Sequence, residues 1–180
     1  MADSMITKHA LSDSLKELIK EKKLSKISIA DICNNCGMHR KSFYYHFKDK
    51  YELVNWIFYN EFVTLAVKEH YDDDWAFLHA LIVFFYDNRE FYSKALETDG
   101  QNSFVEYFEE IFQSILIEFL ENVFSSNKNK NFFAKYFTDA FIMATKNWLH
   151  EKEVMQPDEF YSLIKESMYD IANATVNNNL

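Results

Sequence analysis

The chain has almost none of the residues on which sheets and nucleotide-binding loops depend. Its 180 residues include two glycines, Gly37 and Gly100, and one proline, Pro157. Hairpin turns use glycine at positive-φ positions, and phosphate-binding loops need several glycines at fixed spacing. Hydrophobic residues nevertheless make up 48% of the chain and aromatic residues 18%, which suffices for a packed core. The sequence therefore predicts an all-α protein with an aromatic interior and excludes glycine-rich nucleotide sites.

Apolar residues recur at helical spacing along most of the chain, and polar capping residues separate these periodic segments. Ser28 precedes Asp31 by three positions, the spacing of a capping box. Gly37 stands where a helix end favours a left-handed residue. We expect about nine helices, at about 6–22, 28–36, 39–45, 49–69, 72–86, 87–96, 103–124, 133–148 and from 157 onward.

These helices are expected to form two domains. Residues 1–48 form a three-helix head, and residues 49–180 form a helical regulatory and dimerisation body. In the helix that leaves the head, Leu53, Ile57, Phe62 and Leu65 are expected on the inward side.

The charge differs between the two parts of the chain. Residues 1–60 contain ten Lys/Arg and seven Asp/Glu, whereas the remainder contains nine and twenty-one, giving +3 and −12 and a total of −9. A small basic head on an acidic body is compatible with a specific DNA-binding protein and argues against general coating of nucleic acid. The alternative is that solvated helix faces simply scatter charge in this way.

The head has the layout of a helix-turn-helix, in which a second short helix enters the major groove of DNA. Such a helix needs apolar anchors on one face, here Phe43 and Phe47, and hydrogen-bond donors on the other. Donors in its first turn, here Arg40 and Lys41, reach base edges. The candidate DNA-binding residues are Ser28, His39, Arg40, Lys41, Ser42, Tyr44, Tyr45, His46 and Lys50.

The same segment resembles the TetR/AcrR family of bacterial transcriptional regulators. The resemblance covers residues 27–53, ISIADICNNCGMHRKSFYYHFKDKYEL. The turn departs from the usual Ala-Gly-Val-Ser because it reads Cys36-Gly37-Met38-His39, and Lys41 replaces a common glycine. Histidine caps a helix less well than serine. The departures concern the operator sequence rather than DNA binding.

The resemblance implies a homodimer that binds a palindromic operator in double-stranded DNA under the control of an effector, without a cofactor. It also implies that the last two helices pair with those of a second protomer. The residues expected at this interface, which could instead be ordinary core, are Phe137, Phe141, Trp148, Ile164, Met168 and Ile171.

The effector has two candidate classes. Aromatic residues within 75–148 could line a cavity for a small molecule or could be core. The segments ELVNWIFYNEF and YDNREFYSKAL are similar to a Firmicutes-type branch that includes the activator of a dihydroxyacetone kinase operon. That similarity implies a protein effector, a paralogue of a kinase subunit.

Other functions have weaker support. Neighbouring acids such as Glu109 and Glu110 point to different sides of a helix, and no nucleophile elbow is present, so we expect no enzyme activity. Cys33 and Cys36 lie within the helix-turn-helix and are expected to be structural, with no metal bound. No apolar run is long enough to span a membrane, and the N-terminus lacks a signal-peptide pattern, so we expect a cytoplasmic protein. The alternative to a DNA-binding regulator is a helical adaptor that binds only protein.

Overall fold

The structure is a computed structural model that describes residues 2–69, 71, 73–98, 103–123 and 130–177. These residues form nine α-helices and no strand, which confirms the predicted all-α class. Residues 72 and 124, the predicted limits of two helices, lie outside the described part. The helices are α1 (Ala2–Glu21), α2 (Ile29–Asn35), α3 (Arg40–His46), α4 (Lys50–Phe58), α5 (Asp74–Asp87), α6 (Arg89–Leu96), α7 (Phe104–Val123), α8 (Lys130–His150) and α9 (Pro157–Asn177).

None of the helices within the described residues combines the length and the apolar character that crossing a bilayer requires. The chain divides into two compact units. The N-terminal unit comprises Met1–Glu69 and Asn88–Glu106, and the C-terminal unit comprises His70–Asp87 and Tyr107–Leu180. This division differs from the boundary expected after residue 48, because the whole of α4 belongs to the N-terminal unit together with α6.

Aromatic contacts explain why α4 and α6 belong with the head. The ring of Phe58 in α4 lies 6.1 Å from that of Tyr92 in α6 and 5.3 Å from that of Phe104. An ion pair between Lys16 of α1 and Glu61 adds a polar link at the edge of this core. Buried aromatic pairs of this kind contribute stability beyond the area that they bury.

The end of α4 departs from α-helical geometry. A π-helical turn at Tyr59–Val63 follows Phe58, and a short α-helical turn at Thr64–Ala66 completes the helix. A π-turn contains one more residue than an α-turn. As a result Ala66 is buried, whereas Leu65 is 53% exposed and the expectation that it faces inward is wrong.

The C-terminal unit has a core of stacked aromatic rings. Phe141 of α8 stacks on Phe112 of α7 with ring centroids 4.6 Å apart, and Trp148 stacks on Phe160 of α9 at 4.2 Å. The indole N–H of Trp148 donates to the main-chain carbonyl of Met155 at 2.9 Å. These contacts hold α7, α8 and α9 together within the unit.

The same contacts correct part of the predicted dimer interface. Phe137, Phe141 and Trp148 are buried in the chain's own core, each no more than 6% exposed, so they offer almost no surface to a second protomer. Ile164, Met168 and Ile171 are half-buried on α9. The large apolar side chains of α8 and α9 that are exposed are Phe132, Tyr136, Met143, Leu163 and Tyr169. The ring of Tyr169 stacks on that of Trp75, and the other four residues are called here the pairing face.

Candidate nucleic-acid interface

The first helix of the helix-turn-helix begins with the predicted capping box. The hydroxyl of Ser28 accepts from the Asp31 N–H at 3.1 Å, and the Asp31 carboxylate accepts from the Ser28 N–H at 2.9 Å. These bonds to Ser28, first that of its main-chain N–H, hold the pKa of Asp31 below its ordinary value. The Ser28 hydroxyl also donates to Asp31 at 2.8 Å. Its proton is therefore engaged by the cap and is not available to a phosphate in this arrangement.

Gly37, in the turn between α2 and α3, is needed for its backbone conformation and not because a side chain would lack room. Gly37 has φ +68°, and a Cβ built there would meet no atom within 4 Å. The N–H of Met38 donates to the Cys33 carbonyl at 2.8 Å and closes the end of α2. Glycine is favoured here because other residues are strained at positive φ.

Helix α3 has one buried and one exposed face, as predicted. Phe43 and Phe47 are buried, with ring centroids 5.8 Å apart, and they anchor the helix to the head. Arg40 and Lys41 are exposed in its first turn. Tyr44 and Tyr45 are 58% and 82% exposed. The exposed face thus presents two cations and two phenol groups, which can donate to base edges and phosphates.

Three further candidates lie at the borders of this face. His39 is exposed at the N-cap of α3 and makes no side-chain capping bond, as expected for the departure from serine. Ser42 is half-buried. His46 is half-buried in the last turn, where burial and then the positive charge of Lys8 lower its pKa. His46 is therefore mostly neutral near pH 7 and can donate one hydrogen bond without adding charge.

Lys50 was predicted to contact DNA, but its side chain is bound to the protein's own main chain. Its ammonium group donates to three main-chain carbonyls, those of Leu24 at 2.6 Å, Ser25 at 3.2 Å and Ile27 at 2.7 Å. Burial lowers the pKa of Lys50, partly offset by the carboxylates of Asp31 and Asp49. An ammonium group has three donors, and all three are used inside the head. This arrangement supports a structural role at the turn between α1 and α2 and argues against a phosphate contact.

Sequence reasoning did not select Lys48 as a candidate. Its side chain is exposed directly after α3, and its main-chain N–H donates to the Glu52 carboxylate. The sequence did contain a signal for it, because Lys48 is one of four basic residues within 40–50. Lys48 and Lys50 are two positions apart and therefore differ in orientation, which a charge count does not reveal.

Family models identify the chain from both of its parts. The model for bacterial regulatory proteins of the tetR family matches residues 12–57, and a model for the transcriptional regulator C-terminal region of TetR type matches residues 73–170. The chain belongs to the TetR family. It is a DNA-binding transcriptional regulator, and its helix-turn-helix is the DNA-binding element. Regulators of the TetR family act as dimers.

Individual TetR-family members resemble the chain along most of its length. The HTH-type dhaKLM operon transcriptional activator DhaS of Lactococcus lactis subsp. lactis (strain IL1403) is 25% identical over 151 residues, 81% of each chain. The solved structure of a dihydroxyacetone kinase operon activator DhaS has a TM-score of 0.70 at 22% identity, over 94% of this chain and 98% of that one.

Two other solved structures share the TetR fold. A TetR transcriptional regulator from Streptococcus agalactiae 2603V gives a TM-score of 0.71 at 20% identity and covers 91% of this chain and 93% of its own. NalD, the secondary repressor of the MexAB-OprM multidrug efflux pump in Pseudomonas aeruginosa, gives 0.60 at 17%, covering 94% and 97%. At these identities the likeness concerns the fold.

The cysteines of this TetR-type head have structural environments. Cys33 is buried, and burial raises the pKa of its thiol above the ordinary value. The Cys36 thiol lies 3.3 Å from the Ile32 carbonyl, to which it donates. Across the described residues, no group of three or more His, Cys, Asp or Glu side chains is arranged to hold a metal ion.

Proposed function

We propose that the chain binds a palindromic operator in double-stranded DNA as a homodimer, with α3 of each protomer in a major groove, and that an effector controls this binding. The observation that carries the proposal is the exposed face of α3. Arg40 and Lys41 lie in its first turn beside the exposed rings of Tyr44 and Tyr45, while Phe43 fixes the opposite face in the core.

The chemistry of this face fits DNA rather than protein. Arginine and lysine donate to guanine O6 and N7, the commonest specific contact in the major groove. Tyrosine and serine hydroxyls donate to phosphates and so set the position of the helix on the duplex. Contacts of lysine and arginine side chains to phosphates weaken as salt rises, because each such contact displaces a condensed counterion.

The acidic body supports specific rather than general binding. Residues 61–180 contain nine basic and twenty-one acidic side chains, so the net charge of this part of the chain repels DNA. A regulator with this distribution finds its operator through a small contact surface and does not coat the duplex.

The pairing face supports assembly as a dimer. Phe132, Tyr136 and Met143 are each at least 50% exposed along α8, and Leu163 is 49% exposed on α9. A two-fold axis across this face would bury the same residues on both protomers. Two α3 helices related by that axis would require inverted half-sites about one helical turn apart, roughly 34–36 Å.

Selection from random duplex DNA tests the proposal. The full chain is incubated with a randomised library at moderate salt, bound fragments are sequenced, and affinity is measured by fluorescence anisotropy over a salt series. We expect an enriched inverted repeat, and an affinity for it that exceeds that for scrambled DNA by about a thousandfold or more. No enrichment, or enrichment of a single half-site, would contradict the proposal.

A second proposal concerns whether the chain activates or represses transcription. The relative that matches over 81% of the chain is by its name a transcriptional activator, which favours activation here. Transcription in vitro from a promoter carrying the selected repeat, with the relevant RNA polymerase, distinguishes the two signs. Increased transcript on addition of the chain supports an activator, and decreased transcript supports a repressor.

A further inference from the structure

Lys8 of α1 lies beside the last turn of α3, although the two helices are well separated in sequence. Its ammonium group is 5.4 Å from the ring centroid of Phe47 and 5.6 Å from that of Trp56 in α4. These two rings are 5.9 Å apart, so together they form a platform for the ammonium group. The charge of Lys8 also acts on His46, the last residue of α3.

The platform positions the Lys8 ammonium group without using its hydrogen-bond donors. A cation over an aromatic face is attracted by the charge distribution of the ring and not by an acceptor atom, and an ammonium group has three donors. Within the described part of the chain, Lys16 of the same helix pairs with Glu61 and Lys50 binds three carbonyls, whereas Lys8 has no such partner. Its donors therefore remain available to a ligand.

His46 adds a second donor at the same place. It is half-buried, and neither nitrogen of its ring makes a hydrogen bond to any residue that the structure describes. Its ring lies 4.9 Å from that of Tyr45, which is 82% exposed on α3. The exposed face of α3 thus continues from Tyr45 through His46 to Lys8 of α1.

The chemistry of this place fits a phosphate. An ammonium group and an imidazole both donate to phosphate oxygens, and among the described residues no carboxylate acts on His46 to compete with such a ligand. His46 lies six positions after Arg40, about 9 Å further along the helix. It therefore meets another part of the duplex than the first turn of α3, which faces the bases.

We propose that Lys8 and His46 together bind one phosphate of the operator, and that the complex with DNA takes up a proton on His46. The inference deepens the proposed function, on which it rests, because it adds α1 to the DNA-binding surface. In the free protein, burial and then the positive charge of Lys8 keep the pKa of His46 below its ordinary value. A phosphate that neutralises Lys8 and accepts from His46 favours the charged imidazole, so this pKa rises on binding.

The direction of the pH effect follows from that difference. Between the pKa of the free protein, which lies below 6.5, and the higher pKa of the complex, His46 is neutral when free and charged when bound. Affinity therefore increases as the pH falls through this interval, and it becomes constant once both forms are protonated. The groups around His46 are Lys8 of α1, Tyr45 of α3 and, behind Phe47, the uncharged indole of Trp56, against which His9 of α1 lies at 5.3 Å.

A salt titration tests the phosphate contact. Fluorescence anisotropy is measured with the selected repeat and, separately, with scrambled duplex, because a phosphate contact does not depend on sequence. Lys8→Met should reduce the salt slope by about 1 for each protomer bound, on both DNAs. Lys8→Arg, which keeps the charge, should retain the slope. Thermal denaturation verifies that each variant is folded, and Lys8→Gln is a second neutral variant.

Lys20→Met is the matched control. It removes the same charge from an exposed position of α1, about 18 Å further along the helix and beyond the screening distance of about 8–10 Å. Its salt slope should equal that of the wild type. An unchanged slope for Lys8→Met, or an equal reduction for Lys20→Met, would overturn the contact.

Calorimetry tests the proton uptake. The binding enthalpy at pH 7 in buffers of different ionisation enthalpy gives the number of protons that the complex takes up. We expect uptake by the wild type and by His150→Gln, which lies in the C-terminal unit, and none by His46→Gln. The affinity of the wild type should also increase by about fivefold or more from pH 8 to pH 6. Uptake that persists in His46→Gln, or release of protons, would refute the assignment.

The outcomes separate this inference from the proposed function. A chain that enriches an inverted repeat, but has a slope independent of Lys8 and takes up no proton, keeps the operator complex and loses this phosphate site. A chain that enriches no repeat, but binds scrambled duplex with a slope that depends on Lys8, keeps the phosphate site and loses the palindromic operator.

Discussion

The exposed face of α3 and the pairing face of α8 and α9 are both candidate contact surfaces, yet they differ in kind. The first presents the cations of Arg40 and Lys41 around a buried phenylalanine. The second presents the apolar side chains of Met143 and Leu163 above an aromatic core. Coulombic attraction to DNA weakens with salt, whereas burial of apolar surface does not. One surface is thus suited to reversible binding and the other to constitutive pairing.

Met143→Glu should have the largest effect, because it places a carboxylate from each protomer in the apolar contact. We expect a folded monomer whose operator affinity falls by about a hundredfold or more, since two linked half-site contacts become one. Sedimentation velocity and anisotropy measure the two consequences. Ser162→Glu, on the same pair of helices but outside the pairing face, is the control and should remain dimeric.

The comparison of Met143 with Phe141 sharpens this prediction. Phe141 is 3% exposed and stacks on Phe112, so Phe141→Glu buries an unpaired charge and should unfold the C-terminal unit. A dimeric Met143→Glu variant would show that the pairing face lies elsewhere.

Arg40→Ala should reduce affinity for the selected repeat by about 1–3 kcal/mol and flatten base preference at one position in each half-site. The physical reason is the loss of a bidentate donor in the first turn of α3. Anisotropy with single-base variants of the repeat measures it. Lys152→Ala, an exposed lysine of the C-terminal unit, is the control. A loss that is equal on all sequences would assign Arg40 to the phosphates.

Lys50→Met and Lys48→Met should separate structural from DNA-binding cations. Lys50→Met leaves three carbonyls without their donor, so we expect the head to lose about 1–2 kcal/mol of stability while the salt slope of operator binding stays constant. Lys48→Met should leave the thermal midpoint unchanged and reduce the slope by about 1. Thermal denaturation and a salt titration provide both readouts. A reduced slope for Lys50→Met would restore Lys50 to the interface.

Asp31→Asn should have the smallest effect, and one that depends on pH. The folded pKa of Asp31 lies below its ordinary value of 3.8 because the ionised carboxylate accepts from Ser28. Its contribution to stability is therefore present above that value and is lost as the pH falls through the lowered pKa. The thermal midpoints of wild type and variant should differ at pH 7 and converge as the pH falls below 3.8. A constant difference would mean that the charge contributes nothing.

Most of the helix-turn-helix could be predicted because its signals are local. Ser28 with Asp31, Gly37, and the pair Phe43 and Phe47 each specify their own conformation or burial within a few residues. Lys50 was not predictable in this way. The carbonyls that it binds belong to the turn at residues 24–27, and sequence spacing does not show that this turn lies within reach of α4.

The exposed face of α8 was not predictable for a different reason. This helix has two apolar stripes, one through Phe137, Phe141 and Trp148, and the other through Phe132 and Met143. Both satisfy helical periodicity. Only the packing of α7 and α9 decides that the first is core and the second remains exposed, and in a chain with 18% aromatic residues such ambiguity is expected.

The π-helical turn after α4 allows the chain to differ in length at this point without a change in which side of the helix is buried. Ile57 and Phe62 are five positions apart, yet both are buried, because the turn holds one extra residue. Deleting one residue from 59–61 would place Ile57 and Phe62 four positions apart in a plain α-helix, so both would remain on the inward side. A single codon loss would therefore preserve the buried side of the helix end without any substitution. In evolutionary terms, this turn can gain or lose one residue without repacking the N-terminal core.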